Sequence, residues 1–161
     1  MKTAANIVGT HLFQQYSSMC SMLRKAIASI PDENFHICEG KWYYSLTLYH
    51  IIETIDFYSR ATPEGMKWGS RGGFDWKLAE DVKTDVLGKL SKEMINVYLD
   101  DMESRLNNLF KQTENLFDRD EFDWFDSAFQ KLVYLLRHSQ HHIGELAFAI
   151  RKLGMEPLRW K

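Results

Sequence analysis

Apolar residues recur at intervals of three and four along most of this chain, the period of an amphipathic helix. Over residues 3–29 the stripe is Ala5, Val8, Leu12, Tyr16, Met19, Leu23 and Ala26, reaching Ile30. Pro31 stops it, because a proline disfavours helical geometry in the residue before it. A second stripe, Tyr44, Leu48, Ile51, Ile55 and Tyr58, predicts a helix over 41–60, after Gly40. The third, over 91–116, opens at Ser91, a residue of N-cap type. It carries Ile95, Leu99, Met102, Leu106, Leu109, Thr113 and then Leu116 or Phe117. The fourth, over 126–153, opens at Asp126, also of N-cap type, and carries Leu132, Leu135, Leu136, Ser139, Ile143, Leu146, Ile150 and Leu153. Arg151 and Lys152 in its last turn, Gly154 and then Pro157 form a full helix stop signal.

Four amphipathic helices of this length predict an all-α fold, a four-helix bundle, occupying residues 1–161 as a single domain. The connections are unequal. Residues 61–90 separate helices two and three, long enough to return the chain to its starting end, which gives an up-down-down-up order. Met66, Trp68, Phe74 and Trp76 in this crossover argue that it packs along the bundle, while Gly69, Gly72 and Gly73 leave a looser loop open. The stretch 114–126, ENLFDRDEFDWFD, reads as a solvated turn pinned by its aromatic residues.

Composition narrows the function. At 161 residues, 45% hydrophobic and 26% charged, the chain has the balance of a globular domain. A net charge of -2 gives no basic footprint for nucleic acid. No apolar run approaches a membrane span, and the first 20 residues lack the continuous apolar segment of a leader, so the expectation is a cytoplasmic protein. Cys20 and Cys38 have no metal or redox spacing and read as reduced thiols. A GxSxG elbow and a phosphate-binding loop with its lysine are both missing. The carboxylates do not pair as a di-iron bundle requires, since HIIE and HIGE reverse the Glu-x-x-His order.

The histidines carry the chemistry. His138 and His142, in RHSQHHIGEL, are one helical turn apart and can converge on one ion. His142 points toward the apolar stripe, His138 lies at its edge, and His141 turns further away. Such a pair is also the pattern of histidines that merely satisfy each other, but His50 lies near the middle of helix two, beside Thr47 and Thr54, at the depth of the pair. Three imidazoles at one level favour a divalent metal, with Zn²⁺, Ni²⁺ or Fe²⁺ better suited than Ca²⁺ or Mg²⁺. Three protein ligands leave an open position, as in catalytic rather than structural zinc sites. Glu145, three residues after His142, is placed to bond that ligand's second nitrogen or a water at the open position. An ordinary surface carboxylate is the other reading. Glu53, three after His50, is the weaker candidate, because its direction diverges from the stripe.

These residues resemble the DinB/YfiT-like superfamily. The likeness rests on His50, on the His138-x3-His142 pair followed by Gly144, Glu145 and Leu146, on the Trp42-led start of helix two, on the RKLG after the histidines and on Pro157 to Trp160. The chain has Ile143 where the family often has Arg, and Glu145 where many members have Gln. The resemblance implies a bundle with a long crossover, a homodimer, and a divalent metal held by His50, His138 and His142. It also implies a metal-dependent enzyme acting on a small molecule: a thiol-dependent S-transferase using a low-molecular-weight thiol, or a hydrolase or isomerase of thiol adducts. The competing reading is a non-catalytic, stress-associated metal-binding or interaction bundle. Trp68, Phe74, Trp76, Trp124 and Trp160 are the spare aromatic residues expected to supply a dimer surface, unless they fold back on their own bundle.

Overall fold

The computed structural model describes residues 4–39, 42–76, 87–112 and 116–159. Four helices dominate: α1 (Ala4–Ser29), α2 (Tyr44–Tyr58), α3 (Lys92–Gln112) and α4 (Ala128–Lys152). Strands β1 (Cys38–Glu39) and β2 (Trp42–Tyr43) form a two-residue antiparallel pair just ahead of α2. Gly40, Lys41, Thr113, Trp160 and residues 77–86 of the crossover lie outside the described residues.

Helix α1 packs chiefly on α3 and α4, and α2 also packs on α3 and α4, so consecutive helices α1 and α2 sit on a diagonal, as do α3 and α4. Directions follow from side-chain contacts. Phe13 and Tyr16, in the first half of α1, meet Phe110 near the end of α3, while Arg24, later in α1, bridges to Asp100 and Glu103, earlier in α3, so these two helices are antiparallel. Tyr49 meets Tyr98, and Asp56, two turns later, meets Arg105, so α2 and α3 are parallel. His50 meets His142 and Tyr58 meets Tyr134, so α2 and α4 are antiparallel. The order is up-down-down-up, as the crossover length requires.

The crossover earns its contacts by climbing back along α2. Trp68 packs on Phe57, the Gly69 amide donates to Glu53, and the Gly72 amide donates to the Tyr49 hydroxyl. Gly69 sits at φ 79°, in the left-handed region that glycine tolerates, and a Cβ there would lie 2.2 Å from the Phe74 carbonyl oxygen. Phe74 and Trp76 fold back onto Tyr49, which removes them from the expected dimer surface; Trp68 and Trp124 keep exposed faces.

Several helix ends differ from the periodicity, and three of them have a cause in the contacts. Helix α2 begins at Tyr44 rather than at 41, because the preceding segment takes its first amides: Tyr44 N donates to the Ile37 carbonyl and Ser45 N to that of Phe35. Helix α3 ends at Gln112, and buried Leu116 belongs to the following turn, where its carbonyl accepts from Phe129 N. The N-cap of α4 is Ser127, not Asp126. The Ser127 hydroxyl accepts from Gln130 N, and the Gln130 side chain reaches back to Asp126 N, a variant of the reciprocal capping box. Lys131, in the first turn of α4, is buried against Asp120 at 2.8 Å and over the Phe122 ring, pinning the acidic, aromatic turn to the helix.

Candidate metal centre

Between Tyr44 and Asp56 every residue of α2 except His50 is buried. The core covers one side of the helix and the crossover another, so His50 marks the gap between them. His138 and His142 reach the same gap from α4. Ring centroids are 5.2 Å apart for His50 and His138, 4.9 Å for His50 and His142, and 4.7 Å for His138 and His142. Each imidazole offers a ring nitrogen within 4.8 Å of those of the other two, and all three side chains are half-buried. The triad is compatible with a metal site.

Three observations test that fit. The donors are all imidazole nitrogens, the set that Zn²⁺, Ni²⁺ and Fe²⁺ accept. Ligation needs neutral rings, and burial, reinforced by the neighbouring imidazoles, lowers both His50 and His138 to about 4. Nδ1 of His138 is buried without a hydrogen-bond partner among the described residues, a cost that a cation would relieve.

The surroundings differ at each ring. Nδ1 of His142 lies 2.7 Å from Oε2 of Glu145. An ionised carboxylate only accepts, so Nδ1 carries the proton and Nε2 keeps its lone pair. His141 is exposed and lies 3.6 Å from the other oxygen of Glu145, on the outer side of α4. His141, His142 and Glu145 also lie close enough to share an ion, a second grouping on the solvent face. His11 pairs with Gln14 and His36 with Ser45, away from the triad.

Glu53 is the residue whose surroundings the sequence did not reveal. Its expected divergence from the stripe is real, but the crossover covers that side, leaving Glu53 1% exposed. It accepts from Gly69 N at 2.5 Å, Trp76 Nε1 at 2.6 Å and the Tyr49 hydroxyl at 3.1 Å. Burial raises its pKa, and the three donors pull the other way without cancelling the shift. Trp76 in turn stands edge-on to His50. A signal existed in the sequence, since tryptophans and glycines in a long loop need a docking surface with acceptors.

One turn further along α2, Asp56 accepts from the Tyr98 hydroxyl at 2.9 Å and pairs with Arg105 at 2.5 Å and Arg60 at 3.0 Å. Burial alone would raise its pKa, but these partners outweigh it and the net shift is downward. Glu53, Asp56, Arg60, Lys67, Arg71 and Tyr98 are among the residues lining a polar cavity of about 330 Å³ between α2, the crossover and α3, apart from the histidines. Cys20 is buried and its thiol is pushed up to about 12, which disqualifies it as a nucleophile near neutral pH. Among the described residues no helix is long and apolar enough to cross a membrane.

Residues 1–160 match the DinB family, and the chain belongs to it. Among curated proteins none matches this sequence.

Proposed function

From DinB family membership and the convergence of three imidazoles, we propose that this chain is a metal-dependent enzyme whose divalent ion is held by His50, His138 and His142. The single observation that carries the reading is the mutual approach of these rings around the one unburied position of the first three and a half turns of α2. Zn²⁺ or Ni²⁺ is the first choice and Fe²⁺ the next. When bound, such an ion with three protein ligands and an open position acts as a Lewis acid and lowers the pKa of a coordinated thiol or water.

The chain's own residues set the rest. Glu145 orients His142 and keeps its proton on Nδ1. The three imidazoles are half-buried, so the triad is neither sealed in the core nor fully surrounded by water. The Cys20 thiol is protonated and buried, and the nucleophile in this reading comes from outside, a low-molecular-weight thiol in an S-transfer reaction or water in a hydrolysis. The protein acts in the cytoplasm as a homodimer, and the exposed apolar side chains of α4, Val133 and Phe148, offer the contact surface.

Metal analysis of purified wild type and H138A tests the site, and metal-dependent turnover with added thiols tests the activity. About one ion per chain in the wild type, absent in H138A, with turnover that follows the metal, supports the enzyme. Metal without turnover on any thiol and electrophile pair supports the non-catalytic reading.

A further inference from the structure

Building on the metal reading, we infer that Trp76 is the specificity wall beside the histidine triad, selecting ligands that carry an aromatic or flat apolar group beside the metal-binding donor, and that Glu53 is its positioning residue. Trp76 is half-buried and stands edge-on to His50, with ring centroids 6.0 Å apart and planes at 80°. Tyr134, also half-buried, lies nearly parallel to His138 at 6.1 Å and 27°. Two of the three imidazoles are therefore bordered by half-buried aromatic rings. A ring bound beside them gains about three- to tenfold in affinity beyond the area it buries. A small uncharged hydrophilic ligand lacks this gain.

The indole is held in place. Its Nε1 donates to Oε2 of Glu53, while Oε1 of Glu53 takes the Gly69 amide and the Tyr49 hydroxyl. Glu53 lies on α2 three residues after His50, so one helical turn carries both the first ligand and the anchor of the wall. The carboxylate accepts at both oxygens. A glutamine accepts at one only, and if that oxygen keeps Gly69 and Tyr49, its amide NH₂ faces the indole N–H, donor against donor. E53Q thus releases Trp76 at almost unchanged side-chain volume.

The test loads the protein with Co²⁺ and titrates it with phenylmethanethiol and with 2-mercaptoethanol, read by the visible absorption of the ion. In the wild type the aromatic thiol is expected to bind about tenfold more tightly. W76L, at a half-buried position that tolerates an aliphatic chain, and E53Q both bring the ratio to within about twofold, while Co²⁺ affinity stays within about threefold of wild type. E53Q also red-shifts the tryptophan emission, and the shift is absent from E53Q/W76L. Should E53Q fail to fold, W76F, which keeps a ring but loses the N–H, shows the same loss of preference. An undiminished preference in W76L, or none in the Co²⁺-loaded wild type, overturns the inference and leaves the metal reading standing. Preference retained in both E53Q and W76F removes Glu53 from the role. A wild-type chain that binds no Co²⁺ overturns both readings.

Discussion

Oε2 of Glu145 accepts the Nδ1 proton of His142 across 2.7 Å, one turn along the same helix. The carboxylate does two things at once: it selects the tautomer whose lone pair is on Nε2, and it makes that nitrogen more basic. E145Q should therefore lower metal affinity by about ten- to a hundredfold without abolishing it. Competition with a chromophoric chelator would measure this, and an unchanged affinity would return Glu145 to the status of a surface carboxylate.

The triad should behave as one unit. H50A, H138A and H142A should each lose most of the bound ion, whereas H11A and H36A, whose side chains pair elsewhere, should keep it. H141A should cost little, because His141 is exposed and meets the site through the outer oxygen of Glu145 and an edge contact with the His142 ring, not as one of the three converging nitrogens. Equilibrium dialysis with Zn²⁺ across the six variants separates ligands from bystanders. A loss in H141A as large as that in H138A would move the site to the solvent-facing grouping.

Acid should weaken the metal-free fold through the same rings. His50 and His138 sit at about 4 in the folded chain, against the ordinary value near 6.5 once unfolded. Between these limits the unfolded chain binds more protons, so stability is full above about 6.5 and declines as the pH falls toward about 4. Thermal melts of the apoprotein should show this slope, and H50Q/H138Q should flatten it. Bound metal should steepen it, since protons then compete with the ion as well.

Asp56 is the stability counterpart of the site. D56A leaves the buried Tyr98 hydroxyl without its acceptor and removes the partner shared by Arg105 and Arg60. With both arginines partly solvated, the loss should be about 2–3 kcal/mol in urea unfolding, with metal stoichiometry unchanged. D56N, which keeps an acceptor, should cost less.

Periodicity alone exposed the four helices and, through the length of 61–90, their directions, because core burial imposes a repeat that every helix must obey. The histidine cluster was legible for a related reason: residues near helix midpoints share a level in a bundle. What stayed hidden depends on contacts that periodicity does not encode. Glu53 was the weaker candidate because the stripe of α2 defines only the side facing the core, whereas the crossover buries another. The pair formed by β1 and β2 is too short to alternate, and the choice of Ser127 over Asp126 as cap turns on one backbone conformation, extended at Ser127.

The tie between the Tyr16 hydroxyl and the Leu132 carbonyl joins positions 116 residues apart. The diagonal arrangement of consecutive helices means that short-range partners are not the ones that pack, so much of the loop-closure entropy falls on long segments. A chain of this topology should fold more slowly than an up-and-down bundle of equal length. As the chain leaves the ribosome, α4 emerges after the other three helices, and both α1 and α2 wait for it with a bare flank. The imidazoles of α4 meet His50 only when that helix docks, so uptake of the ion would report the final step of assembly rather than its beginning.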